Sequence, residues 1–393
     1  MRSGWIRGVL GAVIVLLLGL LVLVGGLLID LQEDPLLSPR PREAQFEWER
    51  SLYGYGPAEG EQLLMPTSVA VSPTGDIYVT DPIRSRILVF DADGDPLRIV
   101  FGQTSTADIL FTRPEAIDVD PGNGDLYVAD SQLSRISVFD AEGNFVRAWP
   151  VAGRARGVKV TSERVLVLGL GEVIAYDKKG AELSSFGTRG SAPGQIDAYL
   201  GIESDGERIF IADSFNKRIQ AFSLDGALLW AYPSSETTAG AASADSTGHP
   251  DLETDAVDEG FDWQLPQDLV LDGAGRLVVV DAFRFEFVVV DAESGVVLGT
   301  YGEYGRLDGD LYFPTSVAYD YERDWFVVAD TQNNRAQIVR IPGSAGAVLA
   351  PVRRLVDDPS RYYVLPLAMF VLVVLIAGAR LIQVIRRRRT PSV

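Results

Sequence analysis

The polar pattern that returns most regularly in this chain is an aspartate followed five residues later by an arginine. A carboxylate and a guanidinium at this spacing can pair across a tight turn, and the guanidinium can offer two parallel donors. Because the pattern returns in most units of a repeat, it favours a structural role. Its four copies are Asp81 with Arg86, Asp130 with Arg135, Asp213 with Arg218, and Asp330 with Arg335.

A second group of basic residues does not follow this pattern but lies in the same or neighbouring loops. The chain has a formal net charge of -19, so cations gathered on one rim would attract a carboxylate, an acidic glycan or an acidic protein surface. Scattered, solvated loop charges are the alternative explanation. The residues proposed for ligand or partner binding are Arg84, Arg113, Arg154, Arg156, Arg189, Lys217, Arg284 and Arg306.

The supply of reactive side chains limits the catalytic mechanisms available. The chain has no cysteine and one histidine, His249, and it lacks a Gly-x-Ser-x-Gly motif, so thiol and Ser-His-Asp chemistry are disfavoured. The stretch from Asp91 to Asp95 resembles the start of a calcium loop, but the later Gly and Glu are missing, which favours a hairpin turn. No catalytic residue, metal site or cofactor is assigned, although the many carboxylates leave a divalent cation open.

These residues belong to a unit that occurs six times between residues 46 and 343. The copies begin around Val69, Ile117, Val158, Ile202, Leu269 and Val317, at separations of 41 to 67 residues. In each copy, turn residues separate short β-branched and aromatic runs, as expected for four antiparallel strands. Six such units predict an all-β fold, a six-bladed β-propeller.

The sixth unit ends after its third strand, whereas residues 46–54 look like a fourth strand without predecessors. We therefore expect 46–54 to complete blade six, because this pairing removes the open edges of the ring. The chain would then enter and leave the propeller on one face. We expect the ligand or partner to meet the opposite face, which carries the turns between strands two and three.

The pattern Pro-x-x-Val/Ile-x-Val, followed by Gly-Asp, Tyr-Val-Ala/Thr-Asp and Arg-Ile-x-Val-Phe, resembles the NHL repeat over residues 46–343. The resemblance is clearer in blades one, two, four and six than in blades three and five. It implies a six-bladed propeller that binds protein, nucleic acid or small ligands and is occasionally an enzyme. The zinc site of amidating lyases that are similar to this repeat needs more histidines than one. A carboxylate-bound divalent ion, as in sugar-lactonase propellers, stays open.

Two apolar segments flank the repeats. Residues 9–29 carry no charge and are long enough to cross a bilayer, and residues 362–385 begin with two tyrosines and precede four arginines. The arginines outside each segment predict that both termini are cytoplasmic and that the propeller is extracytoplasmic in the cell membrane. A cleaved signal peptide is the alternative for the first segment, and a buried core helix is the alternative for the second.

The predicted organisation follows from these segments. It comprises a cytoplasmic N-terminus (1–8), a transmembrane helix (9–29), a linker (30–45), the propeller (46–343), a second linker (344–361), a second transmembrane helix (362–385) and a basic cytoplasmic tail (386–393). Residues 234–262 contain no Lys or Arg and predict a flexible acidic insertion, either a solvated loop or a lid over the channel.

Two functions agree with these observations. The first is a membrane-anchored extracytoplasmic binding or scaffold module whose partner is another membrane or extracytoplasmic protein. The second is an extracytoplasmic carboxylate-metal hydrolase or lyase. Nucleic acid is not expected as a partner, because the domain is acidic and phosphate binding needs a strongly basic surface.

Overall fold

The computed structural model of this 393-residue chain describes residues 46–103, 108–233 and 261–345. These residues form six antiparallel sheets of four strands each, which confirms the all-β six-bladed propeller. The predicted spans at 9–29 and 362–385, both linkers apart from residues 344–345, the basic tail and nearly all of the insertion at 234–262 lie outside the described residues. Within the described ranges, no helix combines the length and the apolar character needed to cross a membrane.

The strands follow one another along the chain without crossovers between blades. Blades one to three contain β2 (Val69–Val71), β3 (Ile77–Asp81), β4 (Arg86–Phe90) and β5 (Pro96–Phe101); β6 (Pro114–Val119), β7 (Leu126–Asp130), β8 (Arg135–Phe139) and β9 (Phe145–Pro150); and β10 (Gly157–Val160), β11 (Val165–Leu168), β12 (Val173–Tyr176) and β13 (Glu182–Phe186).

Blades four to six contain β14 (Ile202–Ser204), β15 (Arg208–Asp213), β16 (Arg218–Ser223) and β17 (Leu228–Tyr232); β18 (Pro266–Leu271), β19 (Leu277–Asp281), β20 (Glu286–Val290) and β21 (Val297–Tyr301); and β22 (Pro314–Asp320), β23 (Trp325–Asp330), β24 (Arg335–Arg340) and β1 (Glu47–Leu52). Four short 3-10 turns lie at Glu59–Glu61, Pro82–Arg84, Ser214–Asn216 and Thr331–Asn333.

Strand β1 closes the ring. It pairs antiparallel with β24, with Glu47 opposite Arg340 and Leu52 opposite Ala336. The sixth blade therefore takes three strands from the C-terminal end of the repeats and one from the N-terminal end. As a result, residues 47 and 340 lie side by side on one face of the propeller.

The hydrophobic core is divided into six clusters, one between each pair of neighbouring blades. The second and third strands supply most of it because both of their surfaces are covered by neighbours, and β3 and β4 are buried along their whole length. The inner strands approach closely at Gly157, where an added Cβ would lie 2.2 Å from the carbonyl oxygen of Leu200. Any larger residue there would push blades three and four apart.

The two faces of the propeller differ in the segments that they carry. We call the face with the turns between strands two and three and the connections between blades the upper face. The lower face carries the remaining turns and both ends of the described chain. Its turn segments are 72–76, 120–125, 161–164, 204–208, 272–276 and 320–324 between strands one and two, and 91–95, 140–144, 177–181, 223–227 and 291–296 between strands three and four. They contain nineteen Asp or Glu and six Lys or Arg, so the lower face is acidic.

Candidate functional site

Three of the four Asp–Arg pairs are buried ion pairs that attach each 2–3 turn to the connection before its blade. The arginine Nε lies 2.8 Å from Oδ2 of the aspartate in the pairs Asp81–Arg86, Asp213–Arg218 and Asp330–Arg335. The contact is made through Nε alone rather than through two parallel donors. Most of the terminal nitrogens donate instead to backbone carbonyls; Nη2 of Arg335, for example, donates to the carbonyls of Leu307 and Asp310 at 2.6 and 2.9 Å. Nη1 of Arg335 pairs with Oδ1 of Asp308 at 2.9 Å.

The pair in blade two does not form in this way. The Asp130 carboxylate accepts hydrogen bonds from four backbone N–H groups, on Thr112, Arg113, Gln132 and Leu133. Arg135 donates to the carbonyls of Ile109 and Leu110. Asp213 and Asp330 also accept from an Asn and a Gln side chain, whereas Leu133 and Ser137 stand at the corresponding positions in blade two. The hydroxyl of Thr112 adds a side-chain donor to the Asp130 carboxylate at 3.2 Å.

Two of the eight predicted basic residues meet at the upper end of the channel. The hydroxyl of Tyr199 donates to Oε1 of Glu115 at 2.5 Å, and Ser131 donates to Oε2 of the same carboxylate. The Arg113 Nε lies 3.7 Å from Glu115 Oε2, and the Arg156 guanidinium lies 4.9 Å from the centroid of the Tyr199 ring. Burial, followed by the hydrogen bond to Glu115, raises the pKa of Tyr199 to about 12, so this hydroxyl stays protonated at neutral pH.

The other six basic residues are distributed around the upper face and do not form one patch. Arg84, Arg189 and Arg284 make ion pairs with Asp81, Asp197 and Glu286 at 3.4, 3.3 and 3.0 Å. Arg306 packs over the ring of Tyr312, and Arg154 and Lys217 are exposed. The local acids therefore neutralise much of the positive charge that the sequence places on this rim.

Sequence reasoning missed a set of apolar residues on the same face. Ile83, Leu170, Phe215 and Phe283 each lie two residues after the last residue of a second strand, at the outermost point of a 2–3 turn. Ile83, Phe215 and Phe283 are each 57% exposed, and Leu170 is 40% exposed. We call these four residues the apolar tips. All four occupy the same position of the repeat, so an alignment of the six copies could have revealed them.

The central channel contains a cavity of about 490 Å³. A ring of six aliphatic side chains, one from the first strand of each blade, lines it: Val69, Ile117, Val158, Ile202, Leu269 and Val317. The cavity is also lined by residues of the 1–2 turns, among them Ser72, Thr161 and Asp205, so it opens on the lower face. This is the face opposite to the one on which the sequence predicted the ligand.

One residue after this ring, three neighbouring blades contribute charges. The Lys159 ammonium lies 2.9 Å from Glu203 and 3.7 Å from Asp118. Burial raises the pKa of both carboxyl groups, and Lys159 between them opposes this shift. Burial alone would lower the pKa of Lys159, but the two carboxylates more than compensate and raise it. With all three groups ionised, the cluster carries a net charge of minus one.

A fourth carboxyl group lies in the wall of the same cavity. Asp268 accepts hydrogen bonds from the backbone N–H groups of Leu269 and Val317 at 2.9 and 3.2 Å. Desolvation nevertheless raises its pKa to about 7. None of these four residues was predicted from the sequence. A signal existed for Asp118, Lys159 and Glu203, because the fifth position of the repeat motif is charged only in blades two, three and four.

In the described ranges, no three His, Cys, Asp or Glu side chains are grouped closely enough to hold a metal ion. The stretch resembling a calcium loop forms the 3–4 turn of blade one, where Oδ1 of Asp91 accepts from the backbone N–H groups of Asp93 and Asp95, each at 2.9 Å. This carboxylate therefore stabilises a hairpin turn.

Comparison with known proteins gives similarity in structure only. No protein-family model matches the sequence, and no curated protein matches it. Among solved structures, the chain is similar to Kuenenia stuttgartiensis hydrazine synthase, with 13% identity and a TM-score of 0.48 over 73% of this chain and 99% of that chain. It is also similar to a streptogramin B lyase structure, with 11% identity and a TM-score of 0.48 over 75% of this chain and 96% of that chain.

Proposed function

We propose that this chain is a membrane-anchored, extracytoplasmic binding module of the NHL-repeat type, and that its upper face docks on another membrane or extracytoplasmic protein. The observation that carries the proposal is the set of apolar tips. Exposed apolar residues scattered singly are ordinary on protein surfaces, but here four of six equivalent turns present one at the same position. Apolar side chains repeated around one rim are typical of an interaction surface.

The contrast between the two faces supports the upper face as the docking surface. The turns of the lower face are dominated by carboxylates. On the upper face, the connections between blades add further exposed apolar side chains, including Ile109, Tyr304 and Leu307. A protein interface that excludes water is built around apolar anchors of this kind.

Basic residues adjoin three of the four tips and suggest the character of the partner. Arg84 and Arg284 directly follow Ile83 and Phe283, and Lys217 lies two residues after Phe215. Charges at the rim of an interface contribute mainly to orientation and to the rate of association. Because Arg84 and Arg284 already pair with Asp81 and Glu286, the partner surface that fits is mainly apolar.

The anchored, extracytoplasmic location is supported by the sequence at 9–29 and 362–385, with arginines outside each apolar segment. Residues 47 and 340 lie side by side on the lower face. Tethers leaving both ends of the propeller would therefore start from the lower face, which would leave the upper face free to meet a partner.

The hydrolase or lyase hypothesis has no comparable support. Its carboxylate-bound ion would need several ligands in one place, and the part of the chain that the structure describes has no such group. The binding function is therefore the one that the observed geometry favours.

The test replaces apolar tips without disturbing the core. The variant Ile83→Ser, Phe215→Ser, Phe283→Ser removes three apolar side chains from the upper face. A matched control, Leu97→Ser, Leu183→Ser, Leu298→Ser, removes three side chains of similar exposure, 48%, 55% and 56%, from the outer strands of blades one, three and five. Full-length proteins are compared by quantitative co-isolation from membranes.

We expect a partner that is recovered with the wild type and the control but reduced by about tenfold or more with the tip variant, since loss of central anchors typically costs at least about 2 kcal/mol each. The purified partner must then also bind the wild type and the control more tightly than it binds the tip variant. Equal recovery of all partners by the two variants would refute docking through the upper face.

A further inference from the structure

At the position that directly follows the aliphatic ring, the wall of the central cavity has an ionic side and an apolar side. After the aliphatic ring, blades two to four contribute Asp118, Lys159 and Glu203, whereas blades five and six contribute Val270 and Ala318 at the same position of the repeat. A volume of about 490 Å³ lies in the range of small-molecule sites. Walls of this kind suit a ligand with one charged end and an apolar body.

The charges that line the cavity are unbalanced. Six carboxyl groups and one ammonium line it: Asp118, Glu203, Asp205, Asp268, Asp320 and Glu322, with Lys159. Arginines outside the cavity pair with two of the carboxylates, Asp205 with Arg208 at 2.8 Å and Asp320 with Arg323 at 3.0 Å. Lys159 is shared by two more. Negative charge is therefore in excess in a site that is partly shielded from water.

The mouth of the cavity reinforces this preference. The exposed ring of Tyr321 lies at the opening, in edge-to-face contact with Tyr319. The face of an aromatic ring attracts cations. The turns around the opening belong to the acidic lower face, and a cleft surrounded by charge of one sign raises the local concentration of the opposite ion.

We propose that this cavity binds a monovalent organic cation, a protonated amine carried on a compact apolar body, which enters from the lower face. The ammonium group would lie near Asp118 and Glu203, and the apolar body would pack against the aliphatic ring and the Val270 side. An anionic ligand fits poorly, because Lys159, the only ammonium among the described residues that line the cavity, already has two carboxylate partners. The site is separate from the docking surface proposed for the upper face.

The test uses three probes of nearly the same shape: benzylammonium, benzoate and benzyl alcohol. Binding to the full-length protein in phosphatidylcholine nanodiscs is measured by calorimetry, with empty nanodiscs as the blank. We expect saturable binding of one benzylammonium per chain, at least about tenfold tighter than that of benzoate or benzyl alcohol, and weaker at high salt.

Substitutions at exposed positions test the location of the site without disturbing the fold. Ser162 lines the mouth in the 1–2 turn of blade three, and Ser184 is exposed on the outer strand of the same blade. We expect Ser162→Lys to weaken benzylammonium binding by about threefold or more and Ser162→Glu to strengthen it. The same changes at Ser184 are expected to leave binding within about twofold of the wild type.

Three results would overturn the proposal. They are binding of benzoate at least as tight as that of benzylammonium, absence of saturable benzylammonium binding, and equal effects of the Lys substitutions at 162 and 184. Thermal unfolding of each variant, measured in parallel, confirms that the compared proteins are folded.

Discussion

At the scale of single residues, the Asp–Arg pairs are structural elements of the upper face. The arginine in each of the three formed pairs reaches carbonyl groups of the preceding blade connection, as Arg86 does with Gly60 and Gln62. One guanidinium therefore donates to several carbonyls of the connection. The regularity of the pattern in the sequence indicated this role, but it predicted neither the contact through Nε nor the exception in blade two.

Removing one partner of a buried pair should be costly. We predict that Arg335→Met lowers the free energy of unfolding by about 3–5 kcal/mol, because the buried Asp330 carboxylate loses its cation and Asp308 loses its ion pair. The exposed pair Arg189–Asp197 provides the control, and Arg189→Met should cost less than about 1 kcal/mol. Urea unfolding of each variant measures the difference. Equal costs would show that the buried pair contributes no more than a surface pair.

Asp268 should make stability depend on pH. Its carboxyl group titrates near 4 in the unfolded chain and at about 7 in the folded protein. Between these values the folded protein holds a proton that the unfolded chain has released. The stabilisation from this proton is complete below the unfolded pKa and is lost as the pH rises through the folded pKa.

We therefore predict that the wild type loses stability relative to Asp268→Asn when the pH is raised from about 5 to about 8. The comparison with the Asn variant cancels the other titrating groups. Asp140→Asn serves as a control, because hydrogen bonds lower the pKa of the half-buried Asp140 and it is ionised throughout this range. A constant difference between the wild type and Asp268→Asn would contradict the raised pKa.

At the scale of the strands, most of the fold could be predicted from the sequence. The recurring Val-x-Val and Tyr-Val-x-Asp runs fix the four strands of each blade, and the three-stranded sixth unit predicts its completion by residues 46–54. The cavity charges could not be predicted in the same way. Asp118, Lys159 and Glu203 are separated by 41 and 44 residues along the chain, and they meet only because neighbouring blades align their first strands around the channel.

The closing strand should contribute strongly to stability through one side chain. Leu52 is buried in the cluster between blades six and one, with Leu63, Leu88 and Ile338. We predict that Leu52→Ala lowers the free energy of unfolding by about 2–5 kcal/mol, because it leaves a cavity in the core at the point where the ring closes. Leu97→Ala, at an exposed position of β5, should cost less than about 1 kcal/mol. Similar losses in both variants would indicate that β1 contributes little to closure.

At the scale of the whole molecule, the propeller has two chemically different faces. The upper face carries the apolar tips with their neighbouring bases, and the lower face carries the acidic turns and the opening of the cavity. The sequence analysis predicted a binding role for the upper face from its basic residues. The structure disperses those residues and instead brings out the apolar tips, whose exposure depends on the shape of the 2–3 turns and not on their composition.

The measurement that tests this account most directly is photo-crosslinking in intact cells from two positions of blade five. A photoreactive amino acid replaces Phe283 on the upper face or Leu298 on the outer strand, residues of nearly equal exposure. The account predicts a discrete adduct with one partner protein from position 283 and none from position 298. The same adduct from both positions, or an adduct from position 298 alone, would contradict docking through the upper face.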